Sequence, residues 1–307
     1  MQGIPLGTAV GTIPAALVEL EPSGDNSRAA MATVLGQSGG SAGGPLLAGV
    51  LAQWAPAPRQ LCYLVGFVLT LAAMAGVLAI REPHRPSGSW RLQKPSVPAE
   101  IREPFARAGV TGAAVWAVGA LFLSVVPSYA ADLLDTDNLA LLGAISAAML
   151  TAACLVQVVA VRVAIIPVHA QPLGLALLIA GLAALVTAFP LHALPLVLAA
   201  AVLAGAGLGL GYFGAQAEIN RLAPADRRGE VTAAFITCMY TAVSISAIST
   251  GLLSDAFSLE TAVAITAIII AVIASATIVW HLARLTATRP DAPRPGHRRP
   301  EEHRRAA

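Results

Sequence analysis

Charge is what this sequence has least of. Only 12% of its 307 residues are Asp, Glu, Lys or Arg, about half of what a soluble domain carries. None of these residues falls near the middle of a long apolar run. Cysteine is scarce as well. Cys62, Cys154 and Cys238 stand singly in apolar surroundings without CxxC or metal-ligand spacing, which argues against a disulfide framework. They read as inert core thiols. His84, His169, His192, His281, His297 and His303 are scattered over loops, run ends and tail, so no catalytic grouping forms. The chain does not read as an enzyme, and nothing in it calls for a cofactor, a metal or a nucleic acid partner. A Gly-Lys-Ser phosphate loop is absent, which argues against an ATP-driven pump. The apolar start has neither a basic leader nor a small-residue cleavage site, so it does not read as a signal peptide.

What the chain does have is apolar length. Hydrophobic residues make up 56% of it and the mean hydropathy is +0.72. Nine runs have the length of about 20 residues needed to cross a bilayer: roughly 1–20, 29–51, 61–80, 108–130, 139–161, 171–190, 193–217, 231–254 and 261–282. The expected fold is therefore an all-α integral membrane protein with about nine transmembrane helices. Residues 81–107 carry five prolines and six basic residues and read as a cytoplasmic linker. It separates three helices in 1–80 from a six-helix bundle in 108–282. The Arg- and Pro-rich tail, 283–307, reads as disordered.

Charge distribution then sets the orientation. With the tail in the cytoplasm and nine crossings, all but Arg59 of the 19 Lys and Arg residues fall on the inner side. Asp132, Asp135, Asp137, Asp255 and Glu260 fall on the outer side. Such a positive-inside bias supports both the count and a cytoplasmic carboxyl terminus. Trp54 and Trp280 lie near run ends, where amphipathic rings favour the interface.

One stretch carries the most specific pattern. Gly36, Gly40 and Gly44 recur every four residues, followed by Pro45 and Gly49, inside an apolar run with no charge after Arg28. Spacing of four puts the three glycines on one helical face, where a neighbouring backbone can approach closely. Pro45 removes a main-chain donor and is expected to kink the helix. A generic glycine-zipper helix would share these features. The polar turn with Pro22, Asp25 and Arg28 recurs about 200 residues later as Pro224, Asp226 and Arg228, each after a Gly-rich run. Internal repeats of this kind are typical of secondary transporters.

The glycine stretch resembles the fifth-helix signature of the major facilitator superfamily, in particular its antiporter, drug-efflux-like branch. That signature reads G-x-x-x-G-P-x-x-G-G, and Ala48 stands where the first Gly of the final pair is usual. Gln2-Gly3 resembles the end of the family's fourth-helix opening R-x-x-Q-G-x-G, with Pro5 in place of the next Gly and the arginine position falling before Met1. The resemblance implies helices four to twelve of such a transporter, without the first three. It implies secondary active transport of small molecules by alternating access, with export of organic solutes or drugs. A coupling ion such as H+ and a multi-pass place in a bacterial plasma membrane, among its lipids, come with it. A non-transporting membrane remnant of such a protein is the alternative.

Candidate site residues are uncharged. Gln and Tyr need partners in hydrocarbon more urgently than Ser or Thr, which bond their own backbone. Gln37, Gln157, Tyr212, Gln216 and Tyr240 are the candidates for a cavity lining. By the resemblance, the family's helices five, seven, eight, ten and eleven line the cavity. Glu19 and Glu218 read as helix-end anchors.

Overall fold

The computed structural model describes residues 26–80, 95–224 and 227–287, with isolated positions before residue 26. Most of the expected first span, most of the linker and the tail from residue 288 lie outside the described residues. Nine helices cover nearly everything described. They are α1 (Asn26–Trp54), α2 (Pro58–Ala79), α3 (Arg102–Ser124), α4 (Val126–Leu134), α5 (Leu139–Arg162), α6 (Pro167–Leu191), α7 (Leu194–Leu222), α8 (Arg228–Ala256) and α9 (Leu259–Ala287). Seven of them, α2, α3 and α5 to α9, are long and apolar enough to cross a membrane. Helix α1 covers the expected second span.

Two boundaries differ from the sequence reading. The apolar run 108–130 is not one helix: it breaks at Val125, between α3 and α4. Pro127 sits in the first turn of α4, where its missing N–H leaves an upstream carbonyl without a helical donor. At its other end α3 begins at Arg102, after a 3-10 turn at Ala99–Ile101. Arg102 to Arg107, read in the sequence as linker, thus form the opening turns of a spanning helix.

Helices α3 and α5 to α9 pack into one bundle with α7 near its centre. In hydrocarbon there is little hydrophobic force between helices, so close backbone approach must do the work. Helix α7 achieves it on two faces with alternate glycines. Gly205 and Gly209 lie directly against the backbone of Met149 and Ala153 in α5. Gly207 and Gly214 lie against α6, and a Cβ at Gly211 would meet Val115 of α3 at 2.9 Å. A Cβ at Gly207 would come within 2.6 Å of the Leu178 nitrogen, and one at Gly181 of α6 within 2.6 Å of the Ala204 nitrogen. Around these crossings Leu175, Leu178, Leu182, Leu185, Val115, Leu121 and Phe122 are fully enclosed. A second apolar cluster, with Phe105, Ile219, Val231 and Phe235, joins α3, α7 and α8.

One end of this bundle is basic and the other acidic. Arg107, Arg227 and Arg284 are tied at the same end by bonds that cross between elements. Arg107 pairs with Glu218 at 2.7 Å and Arg284 with Glu103 at 3.1 Å. Arg227 donates to Ser96 at 2.8 Å and pairs with Glu230 at 2.9 Å. The Ser96 N–H reaches the Glu230 carbonyl at 3.4 Å, so the end of the linker is bound to the start of α8.

Helices α1 and α2 form a separate pair that meets the bundle through α5. The meeting is tightest near the acidic end. A Cβ at Gly49 would lie 2.6 Å from the Leu139 carbonyl oxygen, and one at Gly143 would lie 2.5 Å from that of Pro45. One turn beyond Gly49, the Gln53 side chain accepts from the Leu139 N–H at 2.8 Å and so caps α5 from another helix. Asn138 caps the same terminus locally, accepting from the Leu141 N–H at 3.1 Å. The close approach expected of Gly36, Gly40 and Gly44 is not found among the described residues: nothing lies within 4 Å of a Cβ at any of them. Of that stretch, Gly49 makes the crossing.

These distances set an expected outcome. Gly49→Ala or Gly143→Ala would force two backbones apart and cost on the order of 1–3 kcal/mol, whereas Gly40→Ala would change stability by less than about 0.5 kcal/mol. Thermal unfolding of the three variants in detergent checks it. Equal midpoints for Gly40→Ala and Gly49→Ala would place the α1–α5 contact elsewhere.

Candidate functional site

The seam between α1 and the bundle encloses a cavity of about 80 Å³ lined by Ser41, Trp116, Leu150, Ala153, Gln157, Leu208 and Tyr212. Four helices contribute to it. Ser41 lies on α1, two turns from Gly49 on the basic side of the crossing, or about 12 Å along the axis. Pro45 has no N–H, so the Ser41 carbonyl lacks its usual helical donor.

Two expected residues, Gln157 and Tyr212, therefore meet. Tyr240 joins them through Trp116. The Trp116 ring packs edge-on against Tyr212 with centroids 5.8 Å apart, and at a tilt against Tyr240 at 5.9 Å. Such aromatic pairs add to the area they bury. On the far side of this cluster Tyr240 belongs to an open face of α8 with Ile236, Thr237, Thr241, Ser244 and Ile248. Thr237 donates to the Ala233 carbonyl at 2.8 Å and Ser244 to that of Tyr240 at 2.9 Å, the self-satisfaction expected of membrane hydroxyls.

The remaining candidates behave otherwise. Gln216 donates to Asn220 one turn along α7, at 3.0 Å. Gln37 belongs to α1, and its side chain lies outside the described residues. Gly36, Gly40, Gly44 and Pro45 belong to the same helix; Gly36, Gly40 and Gly44 are exposed and Pro45 is half-buried.

A second polar group was not anticipated. Glu218 of α7 and Arg107 of α3 are both buried, at 4% and 8% exposure, and pair at 2.7 Å. The Gln171 amide of α6 also donates to the Glu218 carboxylate. One turn up α3, Thr111 shares a 3.1 Å hydrogen bond with His281 of α9. Four helices are thus joined at the basic end by charged and polar side chains. Glu218 is more than a helix-end anchor, because its carboxylate is enclosed and engaged by two helices. A linear sequence hides this: Arg107 belonged to the linker by polarity, and only the early start of α3 turns it inward. Trp116 was missed for a similar reason, since its one signal was an aromatic ring within a span.

Residues 169–306 match the family model described as Major Facilitator Superfamily. This part of the chain is thus similar to that superfamily. The match takes in α6 to α9, most of the bundle that carries Gln171, Tyr212, Glu218, Tyr240 and His281. No curated protein and no solved structure matches the chain. Together with seven helices long and apolar enough to cross a membrane, the match supports a multi-pass membrane transporter.

The enclosed ion pair has a measurable signature. Removing one partner strands the other charge in a low-dielectric site and costs about 3–5 kcal/mol. Glu218→Leu or Arg107→Met alone should lower the detergent melting temperature sharply. The double variant should recover most of the loss, since no charge is then stranded. A double variant as unstable as the sum of the singles would show that the two residues act independently and that no charge is stranded.

Proposed function

We propose that this protein is a major facilitator secondary transporter that exports a small organic molecule by alternating access. The observation that carries the reading is the convergence of Ser41, Trp116, Gln157 and Tyr212 from four helices at the seam between α1 and the bundle. Polar side chains in hydrocarbon are costly, and they gather where something must be bound or passed. A site between two packed units, near the midplane, is where rocking of one unit against the other exposes it to each side in turn. The Gly49–Gly143 crossing and the Gln53 cap close the seam on the acidic side. The positive-inside bias puts that side outside the cell, with the tail in the cytoplasm. In this arrangement the cavity is shut from the exterior, as an exporter requires before loading. The antiporter-like glycine stretch favours exchange against a proton.

Transport in inside-out vesicles tests this. Expected is saturable uptake of an organic solute, abolished when a protonophore collapses the gradient. Gln157→Leu and Tyr212→Phe should each lower the rate about tenfold or more while leaving the melting temperature within a few degrees. Full activity in both variants would exclude the seam as the route. Uptake indifferent to the protonophore would remove the proton, and no saturable uptake of any solute would favour the non-transporting reading.

A further inference from the structure

We propose that a slot between α3, α8 and α9 binds one acyl chain of a membrane lipid. It is a cavity of about 380 Å³ that shares no lining residue with the seam cavity. Lipid would occupy it whether or not the chain transports.

The slot arises from the way α9 is held. Helix α9 contains no glycine, and so lacks the device that brings α7 against α5 and α6. Side chains tie it to its neighbours at two levels instead. Thr266 shares a hydrogen bond with Thr250 of α8 at 2.9 Å. About four turns further along, His281 shares one with Thr111 of α3 at 3.1 Å, and Arg284 pairs with Glu103. Between these ties α9 presents Ile269, Ile270 and Ile273. The facing helices present only Ala113, Ala114 and Ala117 of α3 and Ala242 and Ser246 of α8. Short side chains opposite a helix that comes no closer leave a gap.

The walls exclude a polar ligand. No charged residue lines the slot, and its hydroxyl protons are already committed. Ser246 donates to the Ala117 carbonyl at 3.0 Å and Ser249 to the Ser246 carbonyl at 3.2 Å. Thr250 donates to the Ser246 carbonyl at 2.7 Å, which leaves Thr266 as the donor of the threonine pair. No side-chain donor remains, and apolar cavities stay dry and take up hydrocarbon.

Position and shape name the hydrocarbon. Ala113 on α3, Ala242 on α8 and Ile273 on α9 each lie at the middle of a helix long enough to cross a membrane. That is the level of lipid tails rather than headgroups. The rim is made by Ile245, Ile269 and Ile273, which are exposed, so the slot is continuous with the surface that lipid tails bathe. From Ala242 to Leu253 it follows α8 for about 16 Å, parallel to the tails beside it. A cavity of about 150 Å³ holds one benzene, and on that scale this one holds on the order of a dozen carbons. Left empty, it forfeits packing contacts along its walls. The tail of a neighbouring lipid supplies them.

The 307-residue chain, purified in detergent and stripped of lipid, is titrated with didodecanoyl phosphatidylcholine, and bound copies are counted by native mass spectrometry. One copy should bind more tightly than the rest. Ala113→Leu and Ala117→Leu fill the slot from α3. Each should weaken that copy about tenfold, the size of the overpacking a retained chain would meet. Ala276→Leu, exposed on α9 outside the slot, should leave it unchanged. Equal binding by the filled and unaltered chains, or no copy distinct from the rest, would overturn the proposal. So would a larger rise in melting temperature with adamantane, a compact hydrocarbon, than with the lipid, which would assign the slot to small lipophilic solutes. If both filled variants unfold, photo-crosslinking of the unaltered chain decides, with a diazirine at mid-chain of the same lipid. Label on the buried Ala114, Ala117 or Ile270 is expected. Label confined to the exposed rim isoleucines would show a chain lying across the mouth and would sink the proposal.

Discussion

Helices in a bilayer gain little by hiding apolar surface from one another, because lipid tails are equally apolar. Backbone proximity is therefore the constraint on which this structure depends, and glycine placement decides where it occurs. Helix α7 uses Gly205 and Gly209 toward α5, and Gly207 and Gly214 toward α6. That double seam makes α7 the centre of the bundle. It also fixes Tyr212, between Gly211 and Gly214, and Glu218, one turn beyond, in position for the cavity and the ion pair. The same rule acts between the α1–α2 pair and the bundle at Gly49 and Gly143, where one small contact holds two larger bodies together.

The polar groups divide into two kinds, one built on charge and one uncharged. At the basic end Arg107, Glu218 and Gln171 engage one another within the bundle, and Thr111 engages His281. Bonds of that sort tie α3, α6, α7 and α9 together, and breaking one partner strands the other. In the seam the residues are uncharged and contact one another through ring edges, with the Trp116 N–H left over. At the basic end too, the Arg107 Nε, the Gln171 Oε1 and the His281 Nδ1 have no hydrogen-bond partner among the described residues.

Composition and apolar run length made the membrane class and the helix positions legible before any coordinates. The charge pattern likewise marked Arg107, Arg227 and Arg284 as sharing one end, and their cross-helix bonds do gather there. Finer features escaped because they depend on rotation about a helix axis rather than on sequence spacing. Gly36, Gly40 and Gly44 share a face as spacing requires, yet that face meets nothing among the described residues, while Gly49 on another face meets Gly143. Gln157, Tyr212 and Tyr240 converge as polar membrane residues should, but Gln216, four residues from Tyr212, turns to Asn220 instead. Pro127 was visible as a breaker inside the 108–130 run. An apolar run measured only by its length conceals it.

The alternating access proposed above requires that the acidic end of the α1–α5 seam open and close, and the Gly49–Gly143 contact is the place where it must. Spin labels at Val50 and Leu139, on a background without the three native cysteines, report that separation by pulsed electron resonance in nanodiscs. A moving seam gives two distance populations, the shorter matching the packed crossing, with a bound solute or an imposed proton gradient shifting their ratio. A single short distance under every condition would contradict it, leaving the crossing as a fixed joint and the cavity without a route to the outside.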